Sequence, residues 1–301
     1  MRRFSVIVVV ALTTAVAAGQ APDPPDLVKQ GRALAAQGKH EDAQRLYRQA
    51  LRANPRSFDA RLAMGVCLDL QGQYAEARTH LSEAVKQADG ITARNQAMNA
   101  LAVSYAFESK ADEALKYLAP VFEHQRTDKD FAGAAATANG VGRIYLETGD
   151  TANARKWYDL GHEQAKHITG LPQPELDLWD LRWMHALARV AAREGKGEEA
   201  RRQVASFEQT MNKRARLKDD DEIYRYLLGY VAYYTKDYDR AIAELVKGNL
   251  ADPFVVTLVG MSYDAKGDAP NAQKYYRRAL DSNAHNLSNA FARPFVRARL
   301  R

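Results

Sequence analysis

Across 301 residues there is one cysteine, Cys67. No intramolecular disulfide can form, so stability must come from packing. Runs of alternating Val, Ile and Thr are missing while alanine is abundant, which argues against a sheet and for an all-helical chain. No glycine-rich phosphate loop and no GxSxG motif occurs, so neither a nucleotide cradle nor a nucleophile elbow is available. Disorder is excluded as well, because 46% of the residues are hydrophobic and 27% charged, an ordinary globular balance.

Arg2 and Arg3 precede an apolar run from Phe4 to Ala18 that ends in small residues, Ala15-Val16-Ala17-Ala18-Gly19. A basic start, an apolar middle and a small-residue end form the pattern of an export signal. The run is shorter than the roughly 20 residues of a spanning helix. Residues 1–19 are therefore expected to be a cleaved signal peptide, with a retained N-terminal anchor as the alternative. No cysteine stands near the cleavage site to carry a lipid anchor, and the arginine pair lacks the rest of a twin-arginine motif. Removing Arg2 and Arg3 from 43 basic residues leaves 41 against 37 acidic ones, a net charge of +4. That mild excess calls for no nucleic-acid partner.

The chain repeats itself. Seven segments pair a small residue with an alanine twelve positions later: Gly31/Ala43, Gly65/Ala77, Ala102/Ala114, Gly142/Ala154, Ala188/Ala200, Gly229/Ala241 and Gly260/Ala272. Five residues before each alanine stands a turn position: Gly38, Gly72, Ser109, Gly149, Gly195, Lys236 and Gly267. Four residues after it stands a large apolar side chain: Tyr47, Leu81, Leu118, Tyr158, Val204, Leu245 and Tyr276. The physical reading is two antiparallel helices joined by a tight turn. Small residues let the two backbones approach, and the large residue is expected to fill the groove of the neighbouring unit. Such units must stack to bury their apolar faces. On this reading Gly142 accepts Ala but not Leu.

This arrangement resembles the tetratricopeptide repeat, most clearly in GRALAAQGKHEDAQRLYRQALRANP (31–55), GRIYLETGDTANARKWYDLG (142–161) and GMSYDAKGDAPNAQKYYRRAL (260–280). The resemblance covers nearly all of residues 24–284 and implies an all-α helical-hairpin solenoid of about seven repeats, wound as a right-handed superhelix. Successive key alanines lie 34, 37, 40, 46, 41 and 31 residues apart rather than at the family's constant period. Gly170, Pro172 and Pro174 mark the expected boundary between four N-terminal repeats (24–165) and three C-terminal ones (175–284). The tail 285–301 falls outside the repeat. It is expected to be a short helix interrupted at Pro294, with Phe291, Phe295 and Leu300 covering the last hairpin and its arginines facing water. Its NAFARP segment (289–294) is similar to endings of exported bacterial proteins of the family, which implies a periplasmic setting.

No residue set for catalysis emerges. His162 and His167 are five apart, about 140° around a helix, too far to hold one metal ion together. Asp219, Asp220, Asp221 and Glu222 lack the alternating ligands of a calcium loop and are expected to cap the following helix. Cys67 has no histidine near it in sequence and reads as a buried structural thiol. No cofactor and no metal is expected.

The family resemblance implies that the first helix of each repeat lines a concave groove. The family's clamp for a chaperone C-terminus uses Lys and Asn on its first two repeats, where this chain has Val28, Arg32, Leu62, Val66 and Asp69, so that function is not carried over. The groove positions further on are Gln96, Asn99 and Val103; Asn139, Arg143 and Glu147; Arg182, His185, Arg189 and Arg193; and Tyr226, Tyr230, Tyr233 and Tyr234. Asn bonds a peptide backbone without reading its side chains, while Arg and Tyr anchor interfaces. This strip suits an extended protein or peptide partner with acidic groups or a free carboxylate. The competing reading has the tyrosines packing on the next repeat and the arginines forming a solvated face. The expected function is an exported, non-catalytic interaction scaffold. The alternatives are a regulatory or assembly subunit of an envelope enzyme complex or, further off, a catalytic protein. Self-association through the solenoid ends is open.

Overall fold

The computed structural model describes residues 24–301, and the expected signal peptide at 1–19 lies outside the described residues. Seven helical hairpins follow one another: α1 (Pro24–Ala36) with α2 (His40–Ala53), α3 (Phe58–Gln71) with α4 (Tyr74–Gln87), α5 (Gly90–Ala106) with α6 (Ala111–Thr127), α7 (Phe131–Thr148) with α8 (Thr151–Ala165), α9 (Gln173–Arg193) with α10 (Gly197–Asn212), α11 (Asp220–Tyr234) with α12 (Tyr238–Leu245), and α13 (Pro253–Ala265) with α14 (Ala269–Ala279). A single helix, α15 (Leu287–Arg299), ends the chain. No strand occurs among the described residues.

Each hairpin turns where the repeat places its turn residue. All seven of those residues have a positive φ, among them Gly149 at 98°. Ser109 and Lys236 hold that conformation without being glycine, at 57° and 65°. An L-residue in the left-handed region loses roughly 1–2 kcal/mol, partly offset by the entropy that glycine would lose. Lys236→Gly is therefore expected to raise stability by up to about 1 kcal/mol, read as a higher midpoint in urea. Asp130, Asp150, Asp237 and Asp268 then accept the backbone N–H three residues on and start the next helix. Asp219 makes no such bond. The acid expected to cap α11 works differently: Asp220 is buried, accepts the Leu217 N–H at 2.7 Å and pairs with Arg214 at 2.6 Å, pinning the connection before the helix.

The large residue shares its core with the neighbouring unit, as expected, Tyr47 with Met64 and Leu68 and Leu81 with Ala97 and Leu101, and where the small residue is glycine it also sits over that glycine within its own hairpin. A Cβ at position 142 would come within 2.8 Å of the Tyr158 ring, and one at 260 within 2.6 Å of the Tyr276 ring. The small residue is thus a seat for the large side chain of its partner helix, and even Ala at 142 forces the tyrosine to move. Gly142→Leu is expected to cost about 3 kcal/mol, the upper range for overpacking. A thermal unfolding curve that did not move would show that the hairpin is not packed this way.

The tail overturns its expectation. α15 continues through Pro294 without a break and lies along the concave side, packed on α13, α14, α5 and α7. Phe295 and Leu300 do cover the last hairpin, and Phe291 packs on Phe254 of its first helix while also reaching the core of the middle repeats. The arginines do not all face water. Arg293 is buried and donates to the carbonyls of Leu70, Leu280 and Ser282, and Arg297 donates to the Leu70 carbonyl at 2.9 Å. The segment leading into α15 reaches the first two repeats, with Asn283 on His40 at 3.1 Å and His285 on the fully buried Asp69 at 2.8 Å. The superhelix therefore returns on itself, and the C-terminal segment bridges its two ends.

Candidate functional site

The first helices α7, α9 and α11 face the concave side, and i, i+3 and i+4 spacing sets successive side chains on that face. Between them lies a cavity of about 470 Å³. Six of the expected groove residues line it: Asn139, Arg143, Arg182, His185, Arg189 and Tyr226. Trp179, Leu181, Phe207 and Ile223 supply apolar wall, and Leu287 from the first turn of α15 closes one side.

The other expected residues lie elsewhere. Asn99 is exposed on α5 and lines an adjoining recess of about 350 Å³, which shares Gly140 and Leu287 with the main cavity. Arg193 and Tyr234 border a third space beyond α15, with Phe291 and Phe295 as its opposite wall. Helix α15 thus divides the expected groove in two. Tyr230 is fully buried and presents no surface to a ligand, while Tyr233 is half-buried, edge-on to Tyr234 and tilted against Tyr238, and lies away from the cavity. Arg189 is only 6% exposed and belongs to the interior rather than to a solvated face.

Beneath the cavity is a buried charge cluster. The Glu147 side chain is 4% exposed and lies 4.0 Å from Arg189 and 3.7 Å from Arg193. Tyr230 donates its hydroxyl to Glu147 at 3.3 Å, and Arg189 donates to the Tyr158 hydroxyl at 3.2 Å. Burial pushes the Glu147 carboxyl above the usual range, opposed by the guanidiniums of Arg189, Arg193 and Arg143. Burial also holds His185 well below the usual imidazole value, with Arg189 and Arg143 adding to the effect. His185 is therefore a neutral imidazole at pH 7.

Two arginines stand outside that pairing. Arg143 donates to the Ser288 hydroxyl at 3.0 Å and lies over the Phe254 ring, while Arg182 stacks on Trp179 at 4.3 Å. Neither pairs with a carboxylate among the described residues. Several buried polar atoms on the cavity's residues lack a partner within the protein: His185 Nε2, the Tyr226 hydroxyl, and Nε of Arg143 and Arg189. Each such atom carries a penalty of about 1–3 kcal/mol while it stays unpaired. The arrangement is an apolar cavity with convergent donors and an excess of positive charge, suited to an anionic group attached to an apolar body.

The remaining chemistry-bearing residues belong to the framework. Cys67 is buried and donates to the His40 carbonyl at 3.3 Å, and burial pushes its thiol up to about 11. The His40 ring lies 3.6 Å away, a neighbour hidden from sequence reasoning by a separation of 27 positions. His162 stacks on Trp183 and bonds Asp180 at 2.7 Å. Among the described residues no group of three or more His, Cys, Asp or Glu is placed to hold a metal ion, and no helix is long and apolar enough to cross a membrane.

Family models for the tetratricopeptide repeat match residues 28–90, 183–206 and 256–286, each within the hairpin array. The chain is a tetratricopeptide-repeat protein. Solved structures agree on the repeat fold. A tetratricopeptide-repeat protein from Parabacteroides merdae superposes with a TM-score of 0.53 at 15% identity, covering 85% of this chain and 91% of that one. RapI in its apo form gives 0.55 at 13% identity, over 85% and 96%. A Rap protein complexed with competence and sporulation factor gives 0.54 at 15%, over 89% and 75%. At these identities the likeness concerns the fold alone. No curated protein sequence matches the chain significantly. Trp179, Phe207 and Leu287 escaped the sequence reading of this repeat protein. Trp179 had a signal, since it stands one turn before Arg182 on the same helix; Leu287 had none.

Proposed function

We propose that this chain is an exported, periplasmic or secreted scaffold that holds the acidic part of a protein partner on its concave face, at the cavity between α7, α9 and α11. The carrying observation is the pair Arg143 and Arg182, two cations beside an apolar cavity without a carboxylate of their own. Planar guanidiniums beside aromatic walls favour carboxylates, and Arg and aromatic residues anchor interfaces. The signal pattern at Arg2–Gly19 supports export, and the repeat fold supports a binding role. A Rap protein of similar fold has been seen complexed with a factor, competence and sporulation factor, which supports the use of such a repeat array to hold a ligand. Catalysis has no residue set to support it.

A photo-crosslinking amino acid placed at Asn139 tests the reading in cells, with the exposed Lys156 on α8 as the control position. The Asn139 probe is expected to capture a partner that the Lys156 probe misses. Arg182→Ala should leave folding intact, since surface changes usually fall within about ±0.5 kcal/mol. It should nevertheless weaken capture by roughly fivefold or more, the loss of about 1 kcal/mol expected of an interface arginine. Equal capture from both positions, or capture indifferent to Arg182→Ala, rules the concave site out. Mature protein beginning between Ala18 and Ala21 would bear out export, and an intact Met1 in a membrane fraction would refute it.

A further inference from the structure

We infer that the cavity between α7, α9, α11 and the start of α15 is a binding site for a monocarboxylate with an apolar body. The inference rests on the reading of this cavity as a ligand site and adds the chemistry of what enters it.

The volume, about 470 Å³, falls within the roughly 300–1,000 Å³ of small-ligand sites. Most of the wall is apolar, from Trp179, Leu181, Phe207 and Ile223, and favours a hydrocarbon or aromatic group. The polar groups converge from three helices, and most of their unpartnered atoms are donors. Guanidinium Nε–H can only donate, and the Tyr226 hydroxyl is free to donate. His185, nine-tenths buried, holds an unpartnered Nε2 beside the Tyr226 ring. Donors without acceptors ask for an acceptor-rich ligand, which excludes a cation and disfavours a neutral apolar molecule.

Charge narrows the class further. Glu147 faces Arg189 and Arg193, while Arg143 has only a hydroxyl for company. With Arg182 also unpaired, four arginines face the single carboxylate of Glu147, so the site attracts an anion. A dianion would bring a larger desolvation cost into a mostly apolar cavity. A flat carboxylate also matches the planar guanidinium. The carboxylate has two sources, a free organic acid or the last residue of a peptide. Both present the same group. Because Leu287 walls the cavity and Ser288 holds Arg143, an occupied site also braces α15 against α7.

The full chain titrated with 3-phenylpropionate tests the inference, followed by tryptophan fluorescence and thermal unfolding. Saturable binding with a raised midpoint is expected, with at least tenfold weaker binding of 3-phenylpropan-1-ol and of acetate. Tyr226→Phe, which removes one unpaired hydroxyl and keeps the ring, is expected to weaken 3-phenylpropionate by roughly tenfold while the unliganded midpoint is no lower than in the original chain. A short peptide ending in Phe, with a free or an amidated terminus, separates the sources. If only the free terminus binds, and tighter than 3-phenylpropionate, the ligand is a chain end; if neither peptide binds while 3-phenylpropionate does, it is a free acid. No binding of 3-phenylpropionate or of the free-terminus peptide, equal binding of acid and alcohol, or indifference to Tyr226→Phe overturns the inference. Partner capture at Asn139 would in that case still stand, so the two readings fail separately.

Discussion

Arg293→Ala is expected to lower stability by about 3 kcal/mol or more and to free α15 from the concave face. Arg293 is 5% exposed and donates to three carbonyls, Leu70 at 3.1 Å, Leu280 at 3.1 Å and Ser282 at 2.6 Å. Hydrogen bonds to a charged group contribute roughly 1.5–3 kcal/mol each, and the carbonyls would lose their partner inside the fold. Burial and the neighbouring Arg297 push the guanidinium down to about 10, so it is still cationic at neutral pH. A lysine has a single nitrogen and cannot span the three acceptors, so Arg293→Lys should recover only part of the loss. Because α15 is a single helix outside the hairpins, the first effect should be local opening. Faster hydrogen exchange in α15, and proteolysis near Asp281–Leu287, should therefore precede the global transition. Unchanged exchange in α15 would mean that this arginine does not hold the helix.

The second large effect is expected at Glu147. Glu147→Gln keeps the shape and removes the charge between Arg189 and Arg193, at 4.0 and 3.7 Å. Breaking one side of a buried pair costs about 3–5 kcal/mol, since a buried cation is left without compensation. The exposed Arg182→Ala gives a contrast within the same concave surface, with almost no change in stability. The buried partner supplies the decisive control: replacing Glu147 and Arg189 together by Met should restore much of what the single change loses, as apolar replacements of buried pairs commonly do. Urea midpoints of the two variants would separate the cases. A double variant as unstable as Glu147→Gln alone would show that shape, not charge, holds this cluster. The same control bears on the concave site, because Arg189 reaches its wall from this interior cluster and not from a solvated helix face.

The hairpins were legible residue by residue. Each signal lies within one unit: a small residue, a turn five positions before the alanine, a large side chain four after it. Helix geometry alone brings such positions together, because a tight turn folds the second helix straight back on the first. Even so, the local reading gave only half of the large residue's surroundings: besides the next unit it also fills the seat left by the glycine of its own hairpin. Spacing says that Gly142 and Tyr158 share a repeat, but only the packed hairpin shows the ring seated on the glycine. The concave list was readable for the same reason, since one face of a helix recurs every three or four residues. Which of its members stay accessible was not. Arg182 and Arg189 are two turns apart on one helix, yet one is exposed and the other lies under the Tyr226 and Tyr230 rings.

By itself, then, the sequence determined the all-helical class, the seven hairpins, the turn positions with positive φ and the set of first-helix residues from which the cavity is drawn. Only the tertiary structure decided where the tail goes. The course of α15 depends on the curvature of the whole array, which accumulates small rotations over seven units spaced 31 to 46 residues apart. An arginine at 293 meets a carbonyl at 70 because that curvature brings the C-terminal segment back to the first two repeats. No pattern within one repeat encodes a contact across 223 positions, and the divided groove, the buried arginines and the wall at Leu287 all follow from it.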